Sequence, residues 1–525
     1  MNPISSQTIA ADRPALIYQP DGSRPDEVFA PDGTMRSHWS YLMDSLQTLG
    51  ATAFEERCGK ASRILRDDGA TYNIYNDQQA PARPWRLDLV PSLISSEEWA
   101  QIESALLERA ELFNLLLRDI YGPRKLLRHG VIPPEALFCH GGFLRACDGI
   151  SLPGEHDLIL HAVDMMRGPG GDICVLADRT QCPSGAGYAL ENRTVMSRVW
   201  PSLFRDSHVH RLAAFFQRLR SKLTSLAIGQ DQPQVVVLTP GAHNETYFEH
   251  AYLANYLGLH LVQGSDLVVR NGYVWMKSLE GLSRVDVILR RVDDSYCDPV
   301  ELRSDSRLGV PNLLDVVRAG RVVVANPLGS GILENPVLLR YLPAIARALL
   351  GRELRMDSVA TYWCGDDQDC RYVLDNLPGL VIKPVWRGST GRSVQAHSLT
   401  ADELARLAGR IRRQPAQFVA QPLVAASCLP VYANGQLQPR PAILRSFAVA
   451  ADTSYAIMPG GLTRVGSGLD TFNLTSQSGS CSKDTWVIAT EPERIDSQAG
   501  RMERRAASPI EMVSLPSRVV ENLFW

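Results

Sequence analysis

The chain has no apolar run of the roughly 18–20 residues that a bilayer-spanning helix needs, so no membrane span is expected. Its opening, Met1-Asn2-Pro3-Ile4-Ser5-Ser6, lacks the basic and apolar stretches of a secretory signal. It has ten cysteines but no Cys-x-x-Cys pair, which argues for reduced, mostly buried thiols rather than a disulfide framework or a zinc site. The expected setting is therefore the cytoplasm. Cys364 and Cys370 are the closest pair. A formal net charge of -3 gives no electrostatic case for nucleic acid. No Gly-Lys-Ser/Thr opens a helix, so the P-loop order is missing too. What remains is a globular composition, 45% apolar and 21% charged over 525 residues, enough for about three domains.

Residues 1–30, rich in Pro, Asp and Ser, read as a loose N-terminal tail. Residues 31–204 read as a helical region followed by strands. Ser95-Ser96-Glu97-Glu98 is a capping-box pattern, and Trp99, Ile102, Leu106, Phe113, Leu116 and Ile120 follow at helical spacing. Asp157–Val163 reads as a strand. Asp164 and Arg167 just beyond it are either site residues or a strand-end salt bridge.

The most informative stretch comes next. An apolar run, Ile173 to Ala177, ends on Asp178, and Pro183-Ser184-Gly185-Ala186-Gly187 turns the chain. A second apolar run, expected to be a strand, delivers Glu191 and Asn192. Two carboxylates and a carboxamide on adjacent strand ends suit Mg²⁺, which takes hard oxygen ligands. The other reading is a hairpin whose polar residues face water.

Residues 205–330 alternate helices and strands, as a small α/β domain does. A helix is expected over 209–227. Val235–Thr239 has the β-rich apolar character of a parallel strand and ends at Pro240-Gly241, before Asn244 and Glu245 open a helix. Further strands are expected at 261–264, 285–289 and 322–325. Arg290-Arg291 closes one of them, beside Asp293. Paired arginines there suit bidentate grip of a carboxylate, or else a surface ion network.

Residues 331–490 begin with a helix over 335–350. Lys383 lies on an apolar strand, where it can meet a phosphate as a point charge. Gly388, Ser389, Thr390 and Gly391 follow in a small-residue loop whose backbone N–H groups can approach phosphate oxygens. A strand around Phe418–Val424 carries Gln421, and Arg445 sits on Ala442–Val449. Gly460-Gly461 leads to Arg464, and Ser478–Ser482 leads to Lys483. Both cations are either solvated or within reach of an anionic ligand.

In the strand lysine with its glycine loop, the Gln421 strand, Arg445 and the Asp178…Glu191-Asn192 pair, the chain resembles the circularly permuted branch of the ATP-grasp superfamily, which includes glutathionylspermidine synthase-like proteins. The likeness spans about residues 30–490. It implies an α/β fold with α+β elements: an N-terminal helical region, permuted metal strands, a pre-ATP-grasp-like domain at 205–330 and nucleotide subdomains at 331–490. It implies ATP and Mg²⁺ as cofactors, with Asp178, Glu191 and Asn192 on the metal. Lys383 and Arg445 would meet the phosphates, residues 388–391 would form a lid, and Gln421 would meet the adenine edge. Arg290, Arg291, Asp293, Asn244 and Glu245 would hold substrate, and Arg291, Arg445 and Lys383 would carry the catalysis. The lysine that usually makes a second ATP contact has no clear match, Arg340 and Arg347 being the nearby cations. The implied reaction joins a small-molecule or peptide carboxylate to an amine through an acyl-phosphate. The alternatives are a phosphotransferase using the same ATP site, and a non-catalytic nucleotide-binding scaffold. Residues 491–525, ending on Ser514–Trp525, resemble the start of an alpha-E helical domain, which would be a partner. No amidase half with a catalytic cysteine is visible.

Overall fold

The computed structural model describes residues 16–73, 83–227, 229–386, 393–468 and 480–489. Its centre is an eight-stranded sheet. Six strands lie side by side in the order Leu87–Ser95, Cys481–Ile488, Leu462–Val465, Gln436–Ala450, Leu160–Arg167 and Ile173–Arg179, and two short strands pair with Gln436–Ala450. The outermost pair, Leu87–Ser95 with Cys481–Ile488, is parallel, and the remaining neighbours are antiparallel.

A four-stranded parallel sheet, ordered Val323–Ala325, Val287–Arg290, Val235–Leu238, His260–Val262, forms the α/β part. Its strands are almost wholly apolar, as sheets covered on both faces require. A third sheet, ordered Tyr362–Trp363, Phe418–Pro422, Leu380–Pro384, Val394–Gln395, packs one face on helices Asp367–Asp375 and Ala401–Arg413. Tyr362, Ala420 and Ile382 belong to that face. By strand alternation the opposite face carries Thr361, Gln421 and Lys383, with Trp363 and Val419 packed into the neighbouring core.

Helix Ser96–Ile120 begins as the capping box predicts. Ser95 is its N-cap and accepts from the Glu98 N–H at 3.2 Å. Helix Ala213–Ser225 is shorter than the expected 209–227. Two expectations need correction. Residues 16–30 are not a loose tail: Leu16, Tyr18 and Val28 are buried, and Tyr18 and Asp26 bridge to Leu437 and Cys428. So few apolar residues leave no periodicity to read, yet each finds a place against the sheet. The run after the glycine turn is not a strand but a helix, Ala186–Val199. Residues 1–15 and 490–525 lie outside the described residues, and with them the alpha-E-like segment. All ten cysteines are free, and no helix among the described residues is long and apolar enough to cross a membrane.

Lys483 is part of the framework rather than an anion contact. It is fully buried. Its ammonium donates to the Asp88 carboxylate, to the Val90 carbonyl at 2.7 Å and to the Pro430 carbonyl at 2.6 Å, which uses all three of its hydrogens. Lys483→Ala leaves Asp88 buried without its cation. It should lower the unfolding free energy by about 3–5 kcal/mol, as loss of one partner of a buried ion pair does, measured by urea denaturation.

Candidate functional site

Four neighbouring strands of the large sheet each contribute one charged side chain to a single row. Asp164 lies directly opposite Arg445 in the register. Arg464 is opposite Ile443 and Arg179 is opposite Ala162, each two residues from the centre and therefore on the same face. Arg445 grips Asp164 with two hydrogen bonds, Nε to Oδ1 at 2.6 Å and Nη2 to Oδ2 at 2.8 Å. Its remaining Nη1 donates to the Ser184 carbonyl at 3.0 Å. Arg179 Nε donates to Asp164 Oδ2 at 3.2 Å, and Arg464 Nη2 stands 3.6 Å from Oδ1. Burial alone would push the Asp164 carboxyl up. Arg445 foremost, with Arg179 and Arg464, holds it far below the ordinary carboxylate range instead. Asp164 thus stays ionised, one negative charge among three positive ones.

Glu334 joins the row from the side. Its Oε1 accepts the N–H groups of Thr180 and Gln181, both at 2.9 Å, and its Oε2 lies 3.6 Å from Arg179. Glu245 hydrogen-bonds Tyr72, whose hydroxyl burial and Glu245 together push upward, while Arg464 and Arg445 pull it back. Asp293 is exposed and accepts from the Cys182 thiol at 3.6 Å. Of the residues singled out in the sequence, Asp164, Arg445, Arg464 and Glu245 therefore lie in this centre, with Asp293 at its edge.

The paired arginines do not present a grip for a carboxylate. Arg290 is fully buried and donates to the carbonyls of Asn326, Val292 and Pro327 and to Ser330 Oγ, at 3.0–3.3 Å. Arg291 donates to the Pro183 carbonyl at 2.8 Å and pairs with Glu249 at 3.4 Å. Glu249 Oε1 in turn accepts the N–H groups of Gly185 and Gly187, at 2.6 and 3.0 Å. That carboxylate caps helix Ala186–Val199, where the first amides lack partners within the helix. A Cβ at Gly187 would come within 2.8 Å of Glu249 Cγ, so glycine is needed there. Asn244 is likewise a local cap: its Oδ1 accepts from the Thr246 N–H and hydroxyl, both at 3.0 Å.

The three proposed magnesium ligands are not brought together. Asp178 faces helix Ser96–Ile120, where Arg109 binds it with two bonds at 2.7 and 2.6 Å and His161 Nε2 lies at 2.9 Å. Burial raises its pKa, but Arg109 and His161 outweigh that and bring it to about 2. Asn192 Oδ1 accepts from the Trp85 indole at 2.9 Å. Glu191 is buried beside Asp68 and Tyr252. A helix in place of the expected strand turns Glu191 and Asn192 away from Asp178. Among the described residues no three His, Cys, Asp or Glu side chains form a metal-holding group.

On the third sheet, Lys383 Nζ donates to Gln421 Oε1 at 2.5 Å, and Gln421 Nε2 donates to Thr361 Oγ1 at 2.8 Å. The segment leading to Thr361 is tied to the large sheet, through Val175 N–H to the Asp357 carbonyl and Val359 N–H to the Val175 carbonyl, both 2.9 Å. Gln421, Lys383 and Thr361 therefore sit on a face turned toward the body of the chain and not toward helices Asp367–Asp375 and Ala401–Arg413. The loop residues Gly388, Ser389, Thr390 and Gly391 lie outside the described residues. Arg340 is paired with Asp369 at 2.7 Å and Arg347 with Glu353 at 2.5 Å. Sequence reasoning left Arg179 and Glu334 unmarked. The signal for Arg179 was its place next to Asp178 at a strand end, and Glu334 had none.

Glu191 supplies a test of this geometry. Burial first, then Asp68, raises its pKa from 4.5 to about 7. A raised acid favours folding while protonated, so its contribution is complete below pH 4.5 and is lost as the pH climbs to about 7. Glu191→Gln should melt higher than the parent at about pH 8 and gain nothing below pH 4.5, read by thermal unfolding across that range. A residue holding magnesium in the site would instead lose ATP-dependent activity on this change.

A family model described as circularly permuted ATP-grasp type 2 matches residues 91–466. An uncharacterized protein of Mycobacterium tuberculosis is 40% identical over 518 residues, covering 96% of this chain and 58% of its own length. The chain thus spans under two thirds of that relative. An uncharacterized protein of Synechocystis is 36% identical over 472 residues, covering 90% of this chain and 98% of its own. Among solved structures, a glutathione synthetase-like effector from Globodera pallida in apo form shares the fold, with a TM-score of 0.53 and 11% identity over 82% of this chain and 96% of its own. Such membership supports an ATP-dependent ligase in general. With a family match over most of its length and an architecture to suit, the chain belongs to the circularly permuted ATP-grasp type 2 family.

Proposed function

We propose that the chain is an ATP-dependent carboxylate–amine ligase that forms an amide through an acyl-phosphate. The observation that carries this reading is the row of Arg464, Arg445 and Arg179 around the single carboxylate of Asp164. Such a ligase gathers anions: a nucleotide triphosphate, a substrate carboxylate and the phosphoryl group passing between them. Preorganised cations in a half-buried setting hold these together and stabilise charge as it develops, at little reorganisation cost. Asp164 orients Arg445 so that its guanidinium need not search for geometry. Lys383, on the facing sheet, would meet the phosphates as a point charge, and Gln421 would offer its amide to the adenine edge.

In the reaction so proposed, a carboxylate oxygen attacks the γ-phosphorus and ADP leaves. The amine nitrogen then attacks the acyl carbon, and inorganic phosphate leaves as the amide forms. The protein's share is positioning, charge neutralisation and exclusion of water that would hydrolyse the acyl-phosphate. The site residues do not suggest a covalent enzyme intermediate. A scaffold reading keeps one point in its favour, since Asp178, Glu191 and Asn192 are spent on internal contacts.

A thermal-shift titration with ATP tests the reading. Ligand at about 100 times its Kd should stabilise the chain by about 2.7 kcal/mol, a rise of a few degrees. Lys383→Ala should lose most of that rise. An equal rise in the variant would remove Lys383 from the site. Absence of any shift with nucleotide would sink the ligase reading.

A further inference from the structure

Arg464 is the member of the row whose charge is least answered. Both oxygens of Asp164 are already occupied by Arg445, and Oδ2 also receives Arg179. Arg464 Nη2 is left at 3.6 Å, beyond a good hydrogen bond. Its Nε is buried and has no partner. A buried N–H of a cation left unsatisfied is costly, because it forfeits its hydration without a replacement acceptor. Burial, and next the Arg445 charge, lower the Arg464 pKa to about 10. Its surroundings thus disfavour the positive charge unless another anion is present.

The space beside it is a cavity of about 120 Å³. Tyr72, Trp85, Arg86, Cys481 and Ser482 line it together with Arg464. Its aromatic wall is stiff: Trp85 stacks on Tyr188 at 4.0 Å between ring centroids, and its indole N–H is held by Asn192. The wall therefore neither collapses onto Arg464 nor supplies it with an acceptor. The cavity has room for a compact charged group. Of the other arginines the sequence offered for this duty, Arg290 is consumed in internal bonds, and Arg291, though its Nε has no partner, has Glu249 and the Pro183 carbonyl and does not line this cavity.

We propose that this cavity is a subsite for a compact oxyanion, a carboxylate or a phosphate, borne by the substrate and received by Arg464. It rests on the ligase reading only in making the oxyanion a substituent of one of the joined molecules. The preferred substrate then carries a second anionic group besides the carboxylate that is activated, either on the amine or on the acid. An amine or acid lacking such a group leaves Arg464 unanswered and binds more weakly, because the unsatisfied cation persists in the complex.

The test uses the full chain at low ionic strength, with inorganic phosphate and succinate as separate probes in isothermal titration calorimetry. At least one should bind, and Arg464→Gln should weaken it tenfold or more, with Arg464→Lys recovering part of the loss. Binding of phosphate alone assigns the phosphate class, and binding of succinate alone the carboxylate class. Equal affinity in the parent and in Arg464→Gln, or no binding of either probe, overturns the proposal. Should Arg464→Gln fail to fold, glyoxal labelling of the parent gives the same answer by mass spectrometry. The bound probe must slow modification of Arg464, and an unchanged rate overturns the subsite. A chain that binds the probes but shows no ATP response loses the ligase reading alone, whereas one that responds to ATP but not to the probes loses the subsite alone.

Discussion

The buried charge of Asp164 is the constraint on which the centre of this molecule depends. Arginine is never neutral at ordinary pH, so three guanidinium groups on adjacent strands repel one another unless something stands between them. Asp164 does so, and its two oxygens set the angles at which Arg445 and Arg179 are presented. The sheet beneath supplies the spacing, since side chains on neighbouring strands of one face lie about 5 Å apart. Asp164, with Glu334 beside Arg179, makes two carboxylates against three cations. The arrangement is rigid and still short of negative charge, which is the condition an anion-binding site must meet.

Charge also holds the body together elsewhere, in pairs where each cation has a carboxylate of its own. Lys483 with Asp88, Arg109 with Asp178, Arg193 with Asp484 and Arg291 with Glu249 are buried, and each joins segments far apart in the chain. Their donors are largely satisfied by carbonyls as well as carboxylates. The contrast with Arg464 is that it has no carboxylate of its own: Asp164, the nearest, is already gripped by Arg445.

That contrast explains what could be read in advance. The family likeness, the apolar parallel strands and the capped helix at Ser95 were legible, because they rest on local pattern. Lys383, Gln421 and Arg445 were legible as strand residues for the same reason, and Lys383 and Gln421 meet on paired strands. The metal trio was misread. Ala186-Gly187-Tyr188-Ala189-Leu190-Glu191 contains good helix formers, but the carboxylate that caps the helix comes from Glu249, about sixty residues on, and no local pattern announces it. Arg290-Arg291 looked like a substrate clamp because consecutive arginines at a strand end are costly to bury. Only the carbonyls of Asn326, Val292 and Pro183 show where their hydrogens go. The row of Arg179, Asp164, Arg445 and Arg464 depends on strand register across the sheet, which no single stretch contains.

The strand order has a consequence for how the protein is made. Asp164 and Arg445 stand 281 residues apart in the chain, and the strand Cys481–Ile488 slots between Leu87–Ser95 and Leu462–Val465. A ribosome releases Leu87–Ser95 long before Cys481–Ile488 exists, and Leu160–Arg167 with Ile173–Arg179 long before Gln436–Ala450. Until Gln436–Ala450 emerges, these strands have open edges, and Asp164 has only Arg179 for company. Contacts this distant in sequence close slowly, and exposed strand edges invite mispairing in the interval. The nascent chain therefore carries an unfinished central sheet until Gln436–Ala450, Leu462–Val465 and Cys481–Ile488 emerge, and the anion-hungry centre comes into being only then.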